Sequence, residues 1–363
     1  MQLADVIKVL EALAPTRFAE EWDNVGLLAG DPEQPISRAL LTIDYTRAVA
    51  DEAERQGCEL VVSYHPPLFR PVKRLLASDL VYQAVRRGRA LYSPHTALDV
   101  APGGTNDVLA DALGLAERQA LRPGKTGETQ FKLVTFLPEE HVERLSAALF
   151  AAGAGRIGNY SACSFRSPGM GTFFGEAGAN PVLGQAGRLE FASELRVETV
   201  VPIARLHAVL AALRANHPYE EPAFDLVRLA EPPRPGVGMG RIGTLPGVPR
   251  PVLFERIRAA LQVRHLLVAG PTEGEVRRAA VCAGACGDLL GDALAQRADL
   301  YLTGELRHHD ALRAAEAGMT VVCVLHSNSE RRTLTQLAAR LGERLPGLAI
   351  HVSEMDRDPF EVR

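Results

Sequence analysis

The 363-residue sequence predicts an α/β protein interrupted by a smaller inserted α+β domain. Three observations carry that reading. Short apolar runs alternate with helix-compatible segments at both ends of the chain, a Gly-rich stretch of different pattern separates the two ends, and linker composition brackets that stretch. At about 150 residues per domain, the length admits two domains.

The chain opens with Leu3, Val6, Ile7, Leu10 and Leu13 at helical spacing, and Pro15 closes the pattern, which predicts an amphipathic helix. Apolar runs at 39–43, 60–63, 90–93, 279–283, 300–302 and 320–325 read as strands. Helix-compatible segments at 46–56, 78–88, 288–298, 308–317 and 329–342 separate most of them, the pattern of an α/β sheet covered on both faces. The stretch 126–230 differs. A strand at 131–136 and a helix at 139–152 precede a turn-rich segment from Gly153 to Gly187 holding nine glycines. A strand at 195–201, a helix at 203–216 and a strand at 223–229 follow, and this βα…βαβ order predicts a ferredoxin-like α+β domain. Linker composition at 121–127 and 231–236 places the insert at 126–235 and the discontinuous α/β core at 1–125 and 236–363. No internal repeat of fixed period is evident.

Apolar residues make up 47% and charged residues 23% of the chain, as in ordinary globular proteins. A net charge of −4 lacks the basic surplus on which phosphate-backbone binding relies, so nucleic acid is not an expected partner. No apolar run reaches the length of a membrane span, and the N-terminus lacks a basic segment followed by an apolar one, so a cytoplasmic protein without membrane association is expected. The five cysteines, several inside apolar runs, read as buried reduced thiols; the pair Cys282 and Cys286 lacks the usual spacing of a metal clip.

Ligands of open α/β sheets bind beyond the carboxyl ends of the strands, and here those ends are polar. Asp44, His65, His95 with Asp99, Glu305, and His326 with Glu330 each follow a strand-like run. Imidazole and carboxylate together are ligands for Zn, Fe, Mn or Ni, which this donor set does not distinguish. Glu330 stands four residues after His326 and shares its face on a helix, although Ser327-Asn328-Ser329-Glu330 also reads as a capping box. Glu305 and His95 are the candidates for moving protons. Glu305, His308 and His309 at i, i+3 and i+4 form either a helical face near the site or a solvated one. Gly103-Gly104-Thr105-Asn106-Asp107 reads as a turn and helix cap. No G-x-G-x-x-G after a strand, no P-loop and no G-x-S-x-G elbow is present.

Five segments together resemble one family, the Nif-three-like dinuclear-metal proteins, whose members carry the name GTP cyclohydrolase I type 2 homologue. They are Trp22-Asp23-Asn24-Val25-Gly26-Leu27, Ser63-Tyr64-His65-Pro66-Pro67-Leu68-Phe69, Ser93-Pro94-His95-Thr96-Ala97-Leu98-Asp99, Leu302-Thr303-Gly304-Glu305-Leu306-Arg307-His308-His309 and His326-Ser327-Asn328-Ser329-Glu330. Gly155-Arg156-Ile157-Gly158-Asn159-Tyr160 and Asn216-His217-Pro218-Tyr219-Glu220-Glu221-Pro222 are similar to the PII/CutA-like extra domain of the long bacterial members. The resemblance implies two divalent metal ions per chain, held by His65, Asp99, His326 and Glu330, with Asp99 and Glu330 bridging. It also implies a homohexamer, a dimer of trimers, acting on a small-molecule substrate. The implied activity is metal-dependent hydrolysis of a nucleotide or related heterocycle; the alternative is a metal or cofactor carrier or a regulatory scaffold. One position departs from many members, which have two adjacent histidines where this chain has Tyr64-His65. Either Tyr64 coordinates as phenolate, another group such as His95 steps in, or the second metal is weak.

Overall fold

The computed structural model describes residues 1–124, 129–230 and 236–362. Two compact units emerge, one formed by Met1–Lys125 with Pro233–Arg363 and the other by Thr126–Pro232. Of the predicted linkers, residues 125–127 and 231–235 lie outside the described residues.

The discontinuous unit holds two sheets, where the sequence pattern predicts one. The first runs in the order Gly26–Ala29, Ala90–Ser93, Leu60–Ser63, Arg38–Thr42 and Ala349–Val352, parallel except for its first strand. The second runs Leu267–Ala269, Thr320–Cys323, Leu300–Thr303, Glu275–Cys282, Gly238–Pro249 and Ala116–Pro123, with parallel pairing among Glu275–Cys282, Leu300–Thr303 and Thr320–Cys323. Each sheet therefore contains three parallel strands in sequential order, and an antiparallel strand lies beside the third. That shared topology is a structural repeat with no fixed sequence period behind it. The six predicted runs divide evenly between the sheets because an antiparallel strand closes the open edge after the third strand in each half.

The near-continuous apolar runs are those of strands buried on both faces. Leu41, Leu60 and Val62 enter one cluster of the first sheet, while Leu40, Val61 and Leu91 enter the other. In the second sheet Val281, Leu300, Leu302 and Val322 face one cluster and Ala280, Tyr301 and Val321 the opposite one. The opening helix, Leu3–Leu13, buries Leu3, Val6, Leu10 and Leu13 against the first sheet's core, as its periodicity requires. The predicted linker at 121–127 is in part strand: Leu121 is buried, and Arg122 and Pro123 pair with Met239 and Gly238.

The inserted unit is an antiparallel sheet in the order Ser164–Phe174, Leu189–Pro202, Gln130–Leu137, Phe224–Arg228. Helices Val142–Ala151 and Leu206–Asn216 pack on it through Leu145, Leu149, Val209 and Leu213. This is the ferredoxin-like βαββαβ arrangement. The sequence pattern missed the strand Ser164–Phe174, which carries Pro168, Gly169 and Gly171 and lies at the sheet edge, where such residues are tolerated. His217 is buried with its ring against the Phe136 carbonyl and accepts from the Tyr219 N–H, so it packs a turn. Among the described residues no helix is long and apolar enough to cross a membrane.

Candidate metal centre

The carboxyl ends of both parallel strand sets deliver the polar groups. His65 follows Leu60–Ser63 by two residues, and His326 follows Thr320–Cys323 by three. His95 opens the helix His95–Val100, and His326 opens His326–Arg344. Left-handed backbone at His95 (φ 24°) and Leu325 (φ 72°) turns each strand end directly into its helix. In both helices a carboxylate stands one turn on, Asp99 after His95 and Glu330 after His326, so the repeated topology presents the same His-x-x-x-carboxylate pattern twice. The capping-box reading does not hold: the helix begins at His326, which leaves Glu330 inside it.

Glu330 is 3% exposed, and its two oxygens meet two imidazoles. His326 Nε2 lies 3.3 Å from Oε1, and His65 Nε2 lies 3.4 Å from Oε2. Glu330 Oε2 has no hydrogen-bond partner despite its burial. One ligand atom from each of His65, His326 and Glu330 falls within 4.8 Å of the others. A buried oxygen without a donor, beside two imidazole nitrogens, fits a divalent cation.

Each histidine is held from behind by a carboxylate. His65 Nδ1 lies 2.9 Å from Asp44 Oδ1, His326 Nδ1 2.8 Å from Glu305 Oε1, and His95 Nδ1 2.8 Å from Asp23 Oδ1. Such partners orient the ring and raise the basicity of the far nitrogen. Burial opposes charge on His65, yet the carboxylates of Asp44 and Glu330 on its two sides push its pKa up to about 10. The hydrogen bond to Glu330 outweighs burial at His326 and pushes it up to about 9. Burial works against the Glu330 carboxylate, but the same two imidazoles hold it below its ordinary value.

Asp99 lines the same cavity but stands outside the three-residue cluster. It accepts a hydrogen bond from the Tyr64 phenol, and burial pushes its carboxyl up to about 6. Burial, then the charges of Asp99 and Glu330, push the Tyr64 phenol well above its usual range, so Tyr64 stays a protonated donor. The His95 ring lies 5.4 Å from that of His65 and carries no contact to Glu330 among the described ion pairs. Glu305 precedes the helix His308–Glu316, so it does not share a helical face with His308 and His309, both of which are exposed. Residue patterns alone left Asp23 without a role; the signal for it is the need of every ring Nδ1 for a partner. They also read Asn106 only as part of a cap, whereas its side chain donates to the Asp99 carbonyl and accepts from the Ala283 N–H, joining the two halves.

The cavity, of about 480 Å3, is further lined by Trp22, Phe69, Arg122 and Cys286. A larger one of about 630 Å3 lies in the inserted unit and, among the described residues, contains no such cluster. Cys282 and Cys286 form a disulfide, contrary to the expectation of five reduced thiols. The turn after strand Glu275–Cys282 brings their Cα atoms to 6.1 Å, within bonding range, and neither sulfur is then a metal ligand. Cys58 and Cys323 are buried free thiols, and Cys163 is half-buried.

The Duf34/NIF3 (NGG1p interacting factor 3) family model matches residues 1–359. A Mycobacterium tuberculosis protein named GTP cyclohydrolase 1 type 2 homolog is 40% identical over 372 residues, covering 100% of this chain and 97% of its own. A Bacillus subtilis protein of the same name is 36% identical over 365 residues, with 98% and 97% covered. The solved structure of a Bacillus cereus protein related to NIF3 superposes with a TM-score of 0.71 at 33% identity, covering 100% of this chain and 99% of that one. Staphylococcus aureus protein SA1388 shares the fold, with a TM-score of 0.81 at 24% identity and the same coverage. With its length matched almost end to end, the chain belongs to the Duf34/NIF3 family.

Proposed function

We propose that this chain binds two divalent metal ions and acts as a metal-dependent hydrolase on a nucleotide or related heterocycle. The observation that carries the reading is the convergence of His65 and His326 on the buried Glu330 carboxylate, with Oε2 left without a donor. His65, His326 and Glu330 would hold one ion, and Asp99, on the same cavity, is the further carboxylate available to a second. Bound there, a divalent ion supplies Lewis acidity toward the scissile group and the attacking water.

The chain's own groups do the rest. Asp44 and Glu305 fix the imidazole orientations and act as positioning residues. His95, held by Asp23, is the imidazole on the cavity free of Glu330, and it moves protons to and from substrate. The name shared by the relatives makes GTP the first substrate to test. Metal content per chain by mass spectrometry, wild type beside an Asp99→Ala, Glu330→Ala double variant, is the primary experiment. About two ions, lost in the variant, support the reading. A metal-loaded protein that turns over neither GTP nor a panel of heterocycles refutes the hydrolase.

Tyr64 supports a second reading, a metal or cofactor carrier, because its phenol is committed to Asp99 where a second imidazole would complete a dinuclear site. Transfer of bound metal to an apo-acceptor protein separates the two. The homohexamer is proposed on the exposed Met170, Phe174, Leu189 and Phe191, which share one face of the inserted hairpin, an apolar surface suited to self-association. A monomer in sedimentation analysis refutes it.

A further inference from the structure

We propose that Trp22 and Phe69 form a stacking subsite for a planar nitrogen heterocycle at the rim of the metal cavity; the subsite names the substrate class of the proposed hydrolase and rests on that reading. Both side chains line the cavity, yet Trp22 is 60% and Phe69 44% exposed. Aromatic rings left in water beside a polar cavity keep a π-face available to a ligand. The Trp22 ring contacts are to Phe69 (centroids 5.9 Å apart, 67° between planes) and His95 (6.1 Å, 75°). Neither ring stacks on the indole in parallel.

The pair is held in place by the residues around it. The Glu20 N–H donates to Thr96 Oγ1, and the Asp23 N–H donates to the Glu20 carbonyl. The Asp23 carboxylate accepts from Thr96 and holds the His95 ring, so both flanks of Trp22 are fixed to the helix bearing His95. The Asn24 side-chain amide donates to the Leu68 carbonyl, which ties the Trp22 segment to the one carrying Phe69. An aromatic corner fixed before ligand arrives loses little freedom on binding. Glu20 lines the same cavity with an exposed carboxylate, an acceptor for ring N–H groups. A flat ring on Trp22 thus sits beside His95, the proposed proton carrier.

The chain has one tryptophan, so its intrinsic fluorescence reports on this subsite directly. Guanosine, titrated into the full-length protein, is expected to quench it saturably. In equilibrium dialysis with the same probe, Trp22→Leu and Phe69→Leu should bind about tenfold more weakly, and Trp22→Phe within about threefold of wild type. Metal content and thermal unfolding should match wild type in all three. Guanosine binding unchanged in both leucine variants, or no saturable binding by wild type, overturns the subsite. If Trp22→Leu fails to fold, the wild-type titration and Phe69→Leu decide. A protein that binds metal but shows no dependence on Trp22 retains the metal reading and loses this one; a metal-free protein whose guanosine binding depends on Trp22 does the reverse.

Discussion

Tyr64 donates its phenolic hydrogen bond to Asp99, and both side chains are buried. The contact joins the strand end bearing His65 to the helix bearing His95. It also gives the second carboxylate of the cavity a protein donor, whereas Glu330 Oε2 has none. The two repeated His-x-x-x-carboxylate units therefore differ in how their carboxylates are satisfied.

Replacing Tyr64 tests that difference. Tyr64→His puts an imidazole beside Asp99 and is expected to tighten the second ion about tenfold or more while the content stays at about two per chain. Tyr64→Phe removes a hydrogen bond to a buried carboxyl and is expected to cost about 1.5–3 kcal/mol in urea unfolding. Unchanged affinity for the second ion in Tyr64→His would mean that Asp99 takes no part in coordination.

Metal binding should release protons. In the metal-free protein the pKa values of His65 and His326, raised to about 10 and about 9, keep both imidazoles charged at pH 8. Coordination needs them neutral, so about two protons leave when the site formed by His65, His326 and Glu330 fills. Calorimetry at pH 8 in buffers of different ionisation enthalpy measures that number, and a value near zero would contradict the arrangement. The same shifts fix the sign of the stability change. Folded values above the ordinary 6.5 make the imidazolium contribution complete below about pH 6.5, and it is lost as pH rises through about 9 and 10. The metal-free protein should therefore lose stability on alkaline titration, and Glu330→Gln should flatten that loss.

Asp44→Asn keeps the size of the residue behind His65 but removes its charge. Metal affinity is expected to fall about 10–100-fold without abolition, as for other partners of ligating histidines. Competition with a chromophoric chelator reads it. Affinity equal to wild type would show that Asp44 does not tune the ring.

The sequence made His65, His326 and Glu330 legible because strand ends are read from apolar runs and a helix sets the i, i+4 spacing. It could not show that Asp99 is held by Tyr64, since that pairing joins residues 35 apart through tertiary packing. The strands at Gly26–Ala29, Leu267–Ala269 and Ser164–Phe174 escaped for a related reason. They are short or glycine-bearing and lie at sheet edges, where partners rather than intrinsic patterning define a strand. Without the two antiparallel edge strands, nothing in the order of apolar runs divides one sheet into two.

Gly304 lies where the second sheet meets the helix bearing His326. Its N–H and that of Glu305 both donate to the Gly284 carbonyl, and the Gly284 N–H donates to Ser329 Oγ on that helix. A Cβ on Gly304 would sit 2.6 Å from the Gly284 oxygen, 2.9 Å from Ser329 Oγ and 3.0 Å from His326 Cα. Two of those atoms are backbone, so the strand ends and the helix must separate. Gly304→Ala is expected to destabilise by about 1–3 kcal/mol and to weaken metal binding by moving His326 away from Glu305 and His65. Gly342, on the same helix, has open space around its Cβ position. Gly342→Ala should leave metal affinity unchanged and stabilise by about 0.5–1 kcal/mol. Chemical unfolding and chelator competition on both variants separate a local clash at the site from a general effect on the helix. Equal behaviour of the two would show that the contact between Gly284, Gly304 and Ser329 does not position the metal ligands.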